Sequence, residues 1–455
     1  MIARSPWSRT REQYRSALFA VAAARLSAVS DEVDAQHGHD HEPGRSRQHQ
    51  AGHSHGHSHG HDHADLPLTR RVRRILDLLA IVLAVATVVG MLMVTLDRDA
   101  PPTSSSFASE VHRADVVEVE VGACGEFADG SSCRVVTFEL TQGPHTGETR
   151  QEIYGLDQPP SLRVHVGDRV MLDYYPDSTP PDDYRYTGDR QRQSTLWILA
   201  GLFVVAVVGL GRLRGLAALA GLALSLVVIL QFTLPNLLGG ADPVLVAVLT
   251  ASAVAYLALY LAHGVNPLTT VALLGTIGAL ALIIALSAVF TAMCNFTGLA
   301  DDSSVILGNL LSSAGRPIDL VGLILAGTVI GALGALDDMT VTQASAVAEL
   351  HAANPSLGAV ELYRRALRIG RDHISSTVNT LALAYVGAAL PTLLIFTSSS
   401  QSLGTIANRE TIAVEIVRTL IGSLGLVAAV PITTALAAFV VRAGIHETGR
   451  HTVSE

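Results

Sequence analysis

"RRVRRILDLLAIVLAVATVVGMLMVTL", residues 70–96, decides what kind of protein this is. Arg70, Arg71, Arg73 and Arg74 stand directly before an apolar run at 75–96. About 20 apolar residues in a helix cross the hydrocarbon core of a bilayer. A basic cluster at the end of a span keeps that end in the cytoplasm. Residues 75–96 therefore read as a transmembrane anchor and 1–74 as a cytoplasmic tail. The run starts too deep in the chain for a cleaved signal peptide, so the anchor is expected to stay.

Composition supports a membrane protein. The chain is 49% hydrophobic and only 16% charged, against about 25% charged in typical soluble domains. All 31 basic residues are arginine, and the formal net charge is -9. Apart from the arginines before residue 75, no basic tract suits nucleic acid, so nucleic acid is not an expected partner. Three cysteines are too few for a disulfide scaffold.

Upstream of the anchor, "GHSHGHSHGHDH" at 52–63 puts a histidine at nearly every second position. Imidazole binds Zn, Cu, Ni and Co. His53, His55, His57, His59, His61 and His63 are thus candidate ligands for divalent metal ions. The tract has too little apolar surface to offset chain entropy, so the tail is expected to be largely disordered. Its expected role is buffering or delivery of metal; no cofactor is expected to be required.

Downstream, residues 110–176 change character. "DVVEVEVG" (115–122), "RVVTFEL" (134–140), "RQEIYGL" (150–156) and "RVMLDYY" (169–175) show strand-like patterning between Gly- and Pro-containing turns. They predict a small β-barrel domain of the OB type. Lying after the first span, it is expected outside the cytoplasm. Cys124 and Cys133 flank the turn-like "GEFADGSS". An oxidising exterior permits a disulfide there, although spacing alone does not establish its geometry.

From 195 to 442 the chain is nearly all membrane bundle. Spans are expected near 195–211, 215–234, 243–263, 268–293, 318–340, 375–397 and 411–441. Arg212 and Arg214, then Arg364, Arg365, Arg368 and Arg371, then Arg442 all fall in cytoplasmic connections under this scheme; Arg316 and Arg409 are external exceptions. The stretch 346–372 reads as a cytoplasmic helical hairpin broken at Asn354-Pro355, and 443–455 as a cytoplasmic tail. The expected fold is an α-helical polytopic membrane protein. It has about eight transmembrane helices and an extracytoplasmic OB-like β-barrel between the first and second spans. The expected location is the plasma membrane, with both termini cytoplasmic.

The polar residues of the bundle carry the functional reading. In "GTVIGALGALDDMTVTQASAVAELHAANP" (327–355), Gly327 and Gly331 have the spacing of a close helix contact. Asp337 and Asp338 follow, and carboxylates inside a membrane helix face a partner or a water-filled cavity. No helix breaker intervenes before Glu349, so Asp338, Thr342 and Ser345 share one helix face, with Gln343 at its edge. A second stripe, Asp372, Ser376 and Asn379 with Thr380 beside it, lies on the next span. The connecting hairpin is expected to bring the stripes together as an ion or polar-solute site. The alternative is a hydrogen-bonded network that fixes helix register. Tyr260, His263 and Asn266 lie at the same membrane side, His263 read as interfacial or capping. The chain has no H-E-x-x-H, Walker A or G-x-S-x-G motif, so it is not expected to be an enzyme.

These residues resemble the core of the YibE/F family of bacterial multi-pass membrane proteins. The resemblance runs over roughly 110–440. It rests on a Gly-rich helix with Gly331 and Gly334 ending at Asp338, then Ser345, "ELH" at 349–351, Asn354-Pro355, "IGRD" at 369–372 and "VNTL" at 378–381. The last replaces a T-N-T-L pattern, and the Asp337-Asp338 pair is a feature of an actinobacterial branch. The resemblance implies a polytopic membrane protein, with transport as the expected role. The leading expectation is a secondary transporter or permease for a small ion or polar solute. The alternative is a non-catalytic envelope assembly or sensing protein acting through its β domain on an envelope partner. Homo-oligomers are compatible with either.

Overall fold

The computed structural model describes residues 69–97, 110–123, 132–155, 163–176, 178–180, 182–313, 315, 318–398 and 401–446. The expectations for the histidine tail, for Cys124 and for residues 447–455 lie outside the described residues.

Helix α1, Arg70–Leu96, starts where the Thr69 hydroxyl accepts from the Val72 amide. Then come β1 (Glu110–Ala123), β2 (Ser132–Leu140), β3 (Thr149–Gly155), β4 (Arg169–Tyr174) and the two-residue β5 (Tyr184–Arg185). All pairings are antiparallel, in the order β3-β2-β1-β4-β5. The long β1 is shared: Ala114–Ala123 pair with β2, while Glu110–Asp115 pair with β4. A register shift between Val116 and Glu118 marks a bulge, which lets one strand turn from one neighbour to the other. The barrel therefore extends past the expected boundary at 176, to β5 and a bridge from Val170 to Arg190.

Side chains draw β3 and β5 together, leaving the small barrel nearly closed. The Tyr186 amide donates to Glu152, which also accepts from the Tyr154 hydroxyl. Arg150 on β3 donates to both Asp183 oxygens, at 2.8 and 2.9 Å, and pairs with Glu148 at 2.9 Å. That hydrogen-bonded guanidinium holds the Asp183 carboxyl below the usual carboxylate range. Ala114, Val116, Val136, Phe138, Leu140, Val170 and Leu172 fill the interior. Cys133 is buried and disulfide-bonded, whereas Cys294 is free and exposed.

Helix α2, Gln193–Val228, continues through a widened turn at Ile229–Thr233 into α3, Leu234–Leu238. Within α2 the chain is broken at Arg212, with φ 51° and ψ -130°. These angles suit the first central position of a type II′ turn, where glycine is the usual residue. A Cβ on Gly215 would sit 2.3 Å from the Val207 carbonyl oxygen, eight positions earlier. An uninterrupted helix would separate these residues by about 12 Å, so the chain doubles back at Arg212 and the two arms of α2 pack where only glycine fits.

The remaining helices are α4 (Pro243–His263), α5 (Pro267–Met293), α6 (Asp302–Ser313), α7 (Leu320–Ala353), α8 (Ala359–Ala388), α9 (Leu390–Ser398), α10 (Leu403–Ala407) and α11 (Glu410–His446). Asp242, Asn266 and Asp319 cap α4, α5 and α7 by accepting first-turn amides. Helix α7 runs past Glu349 as expected and stops at Ala353, where Asn354 and Pro355 turn the chain into α8. Among the described residues, six helices are long and apolar enough to cross a membrane. The count is seven if α8 and α9, bent by 61°, form one broken span.

Helices α5, α7 and α11 pack on one another, with α4 against α7 and α8 against α11. Burial separates centre from rim: 56% of the most apolar stretch of α7 and 50% of that of α11 is buried, against 6% for α1. Leu78, Ile81, Val85 and Leu92 on α1 point outward, as expected of side chains whose solvent is lipid.

Candidate functional site

Where α5, α7 and α11 meet, the largely apolar bundle buries a group of polar side chains. Helix α5 contributes Thr276, α7 contributes Asp337, Thr340 and Gln343, and α11 contributes Thr433 and Thr434. All are fully buried apart from Asp337, which is 9% exposed. The Thr276 hydroxyl lies 3.2 Å from Asp337 Oδ1 and 2.9 Å from the Thr340 hydroxyl. Thr340 in turn lies 3.1 Å from the Asp337 carbonyl oxygen. One turn further along α7, Thr434 donates to Gln343 Oε1 at 2.9 Å.

Glycines make the room. A Cβ on Gly275 would lie 2.1 Å from Thr433 Oγ1, and one on Gly370 would lie 2.7 Å from Gln343 Nε2. Helix α8 thus comes close enough to cover the glutamine only because position 370 has no side chain. Pro431, one turn before Thr434, also removes a backbone donor from α11. Gln343 Nε2 and Thr433 Oγ1 are buried without a hydrogen-bond partner, so the group has unused polar capacity.

Asp337 also borders open space. Together with Asp338, His263, Thr250 and Ser225 it lines a mostly aliphatic cavity of about 410 Å³ between the second arm of α2, α4 and α7. Among the described residues no arginine or histidine forms an ion pair with Asp337. A second cavity, of about 310 Å³, opens nearer the start of α7, between α6, α7 and α11. It is lined by Asp301, Thr411 and the Glu415–Arg418 ion pair, whose separation is 2.7 Å.

The structure rearranges the expected site. Asp337 and Gln343 are both buried on α7, whereas Asp338 and Ser345 are exposed and Thr342 is half-buried. Asp372, Ser376, Asn379 and Thr380 on α8 are all exposed, so the two polar stripes do not face each other. The reason is rotational. Leu362, Ala366 and Gly370 form the buried face of α8. At about 100° per residue, Asp372 is turned some 200° from Gly370. Among the described residues the Thr380 hydroxyl bonds within its own helix, to the Ser376 carbonyl. Asn266 proves to be the cap of α5, and the Tyr260 hydroxyl lies 2.9 Å from that of Thr270. Sequence reasoning missed Thr276, Thr433 and Thr434; the available signals were "GT" at 275–276 and "PITT" at 431–434 inside otherwise apolar runs. Among the described residues no cluster of His, Cys, Asp and Glu suits a metal ion. His53 to His63 lie outside them.

Long lipid-facing helices around a buried polar centre define a polytopic helical membrane protein. Residues 199–443 match the family of YibE/F-like proteins, and the chain belongs to that family. The match covers the bundle and not the β-barrel, a narrower region than the 110–440 of the sequence resemblance. Comparison with curated proteins and with solved structures gave no match.

Proposed function

We propose that the chain is a secondary transporter or permease for a small ion or polar solute, with Asp337 as the residue that binds and releases a proton or cation. The supporting observation is a carboxyl halfway along a membrane helix, held by the Thr276 hydroxyl, bordering a cavity and lacking a cationic partner among the described residues. Such a group is costly in lipid and is retained where it serves a pathway. Two hydroxyl protons, on Thr276 and Thr340, serve the three contacts around Asp337. A protonated carboxyl would supply the third, donating to Thr276; an ionised one would leave a contact open for a cation. This count motivates coupling to protons or to a monovalent cation. The cavity at the start of α7 and the one beside Asp337 at its middle would form parts of an access path.

In this reading the arms of α2 are separate spans and α8 with α9 completes an eighth. Both termini are cytoplasmic and the OB-like barrel is outside, in the plasma membrane. The chain is a carrier without enzymatic chemistry. Its histidine tail buffers divalent metal, and deleting 37–63 should weaken metal binding and spare transport. The experiment is the elemental content of cells overproducing wild-type, Asp337→Asn or Asp338→Asn protein, followed by flux of the responding ion in proteoliposomes. Loss of the response with Asp337→Asn, the protein still in the membrane, is the expected result. A response equal in wild type and Asp337→Asn would sink the assignment.

A further inference from the structure

The largest open groove among those described, about 970 Å³, lies where the barrel meets the start of α2. One end is cationic: Arg113 and Arg169 from the barrel, with Arg190 and Arg192 from the segment entering the helix. Asp189 is the acidic residue lining it, and Asp168 lies behind Arg190 at 3.5 Å. The arginines outnumber these two carboxylates by two. The Arg169 guanidinium has no hydrogen bond or ion pair among the described residues. Arg113 is turned toward the helix start by donating to Gln193 Oε1 at 2.8 Å, and Arg190 is tethered to the Arg163 carbonyl at 2.7 Å. Arg192 is 3.7 Å from Asp189, both exposed.

The other end is apolar. Leu196, Trp197 and Ala200 continue the groove down the first turns of α2. Leu196 and Trp197 are 60% and 69% exposed, on a helix apolar enough to cross the membrane. Tryptophan on a spanning helix favours the headgroup level. Arg192, at the cap position, makes no side-chain cap bond, so the first amides of α2 lie unscreened beside the arginines. The groove is thus cationic at the water side and apolar where the helix enters the lipid.

We propose that this groove holds an anionic phospholipid: the arginines take its phosphate and glycerol-type headgroup, and an acyl chain runs along Leu196, Trp197 and Ala200. The lipid ties the barrel to the bilayer at the one place where the chain passes from strand to span. This rests on α2 crossing the membrane and not on the transport reading. A free phosphate would satisfy the arginines alone and leave the apolar wall unused.

The test uses full-length protein carrying Trp7→Phe, so that Trp197 is the single tryptophan, in dodecyl maltoside micelles. Quenching of its fluorescence is titrated with brominated phosphatidylglycerol or brominated phosphatidylcholine. Phosphatidylglycerol should quench at lower mole fraction. Each arginine removed should cost roughly fivefold of that preference, since an arginine near an anionic lipid contributes about that factor. Arg169→Gln, which breaks no hydrogen bond or ion pair among the described residues, is the first variant, and Arg113→Gln/Arg169→Gln the second. Inorganic phosphate at matched ionic strength should not displace the lipid. Equal quenching by both lipids, a preference that survives Arg169→Gln undiminished, or displacement by inorganic phosphate would each overturn the proposal.

Discussion

Two buried aspartates teach opposite lessons. Asp183 in the barrel is 2% exposed and meets the Arg150 guanidinium with both oxygens. Asp337 in the bundle is 9% exposed and meets a threonine hydroxyl and a cavity. The first has its charge matched on the spot, so its site is complete and serves to close the barrel. The second has no matching charge among the described residues, and in the proposed reading an ion or proton supplies it. Burial alone does not distinguish structure from function; the partner does.

The comparison breaks most visibly in transport. Asp337→Asn should take flux to background while the protein remains folded in the membrane. Asp183→Asn should leave flux per folded molecule unchanged, as measured in proteoliposomes normalised to inserted protein.

Stability should show the reverse. Removing one partner of a buried pair costs about 3–5 kcal/mol, so Asp183→Asn should markedly lower the thermal unfolding midpoint of the barrel. The folded Asp183 carboxyl titrates below its unfolded value because Arg150 favours its charged form. Its contribution is therefore complete above the unfolded pKa of about 3.9 and lost as pH falls through the lower folded value. The gap between wild type and Asp183→Asn should begin to narrow below about pH 4 and close only beneath the folded value. A gap that persists there would mean the pair is not its source.

A smaller effect sharpens the bundle side. Gly370→Ala would push a methyl into Gln343 Nε2. Forced repacking costs about 1–3 kcal/mol, and flux should fall with it if the polar centre acts as a unit. Helix-surface changes on the exposed stripe, such as Asn379→Ala, should leave both readouts nearly unchanged.

The smallest measurable change in stability is expected to be a gain. Arg212 holds a left-handed backbone conformation that glycine adopts freely. Arg212→Gly should raise the unfolding midpoint, by relief of about 1 kcal/mol of strain. Gly215→Ala, only three positions on, should lower it because the Val207 carbonyl cannot give way.

Much of the fold was legible. Runs of 20 or more apolar residues, arginine clusters and Gly-punctuated alternation carry strong local signals, and α1, α4, α5, α7, α11 and β1–β4 follow from them. Strand β5 did not, because two residues have no periodicity. The site was half legible. Asp337 and Gln343 stood out as polar in an apolar helix, but choosing between Asp337 and Asp338 is a choice of about 100° in helix rotation. Helix α7 is apolar on nearly every side, so its sequence has no hydrophobic face to set that angle. Thr276, Thr433 and Thr434 were silent for another reason. Threonine in a membrane helix commonly bonds its own backbone, as Thr434 also does to Val430, and only the neighbouring helix shows the second partner.

The turn at Arg212 bears on how the protein is made. Its arms are joined without a loop, and Gly215 rests on the Val207 carbonyl. The contact at Gly215 holds only while the two arms lie side by side. If both arms cross the bilayer, as proposed above, residues 193–238 are expected to insert as one unit, because the native contact forms only once both are in place.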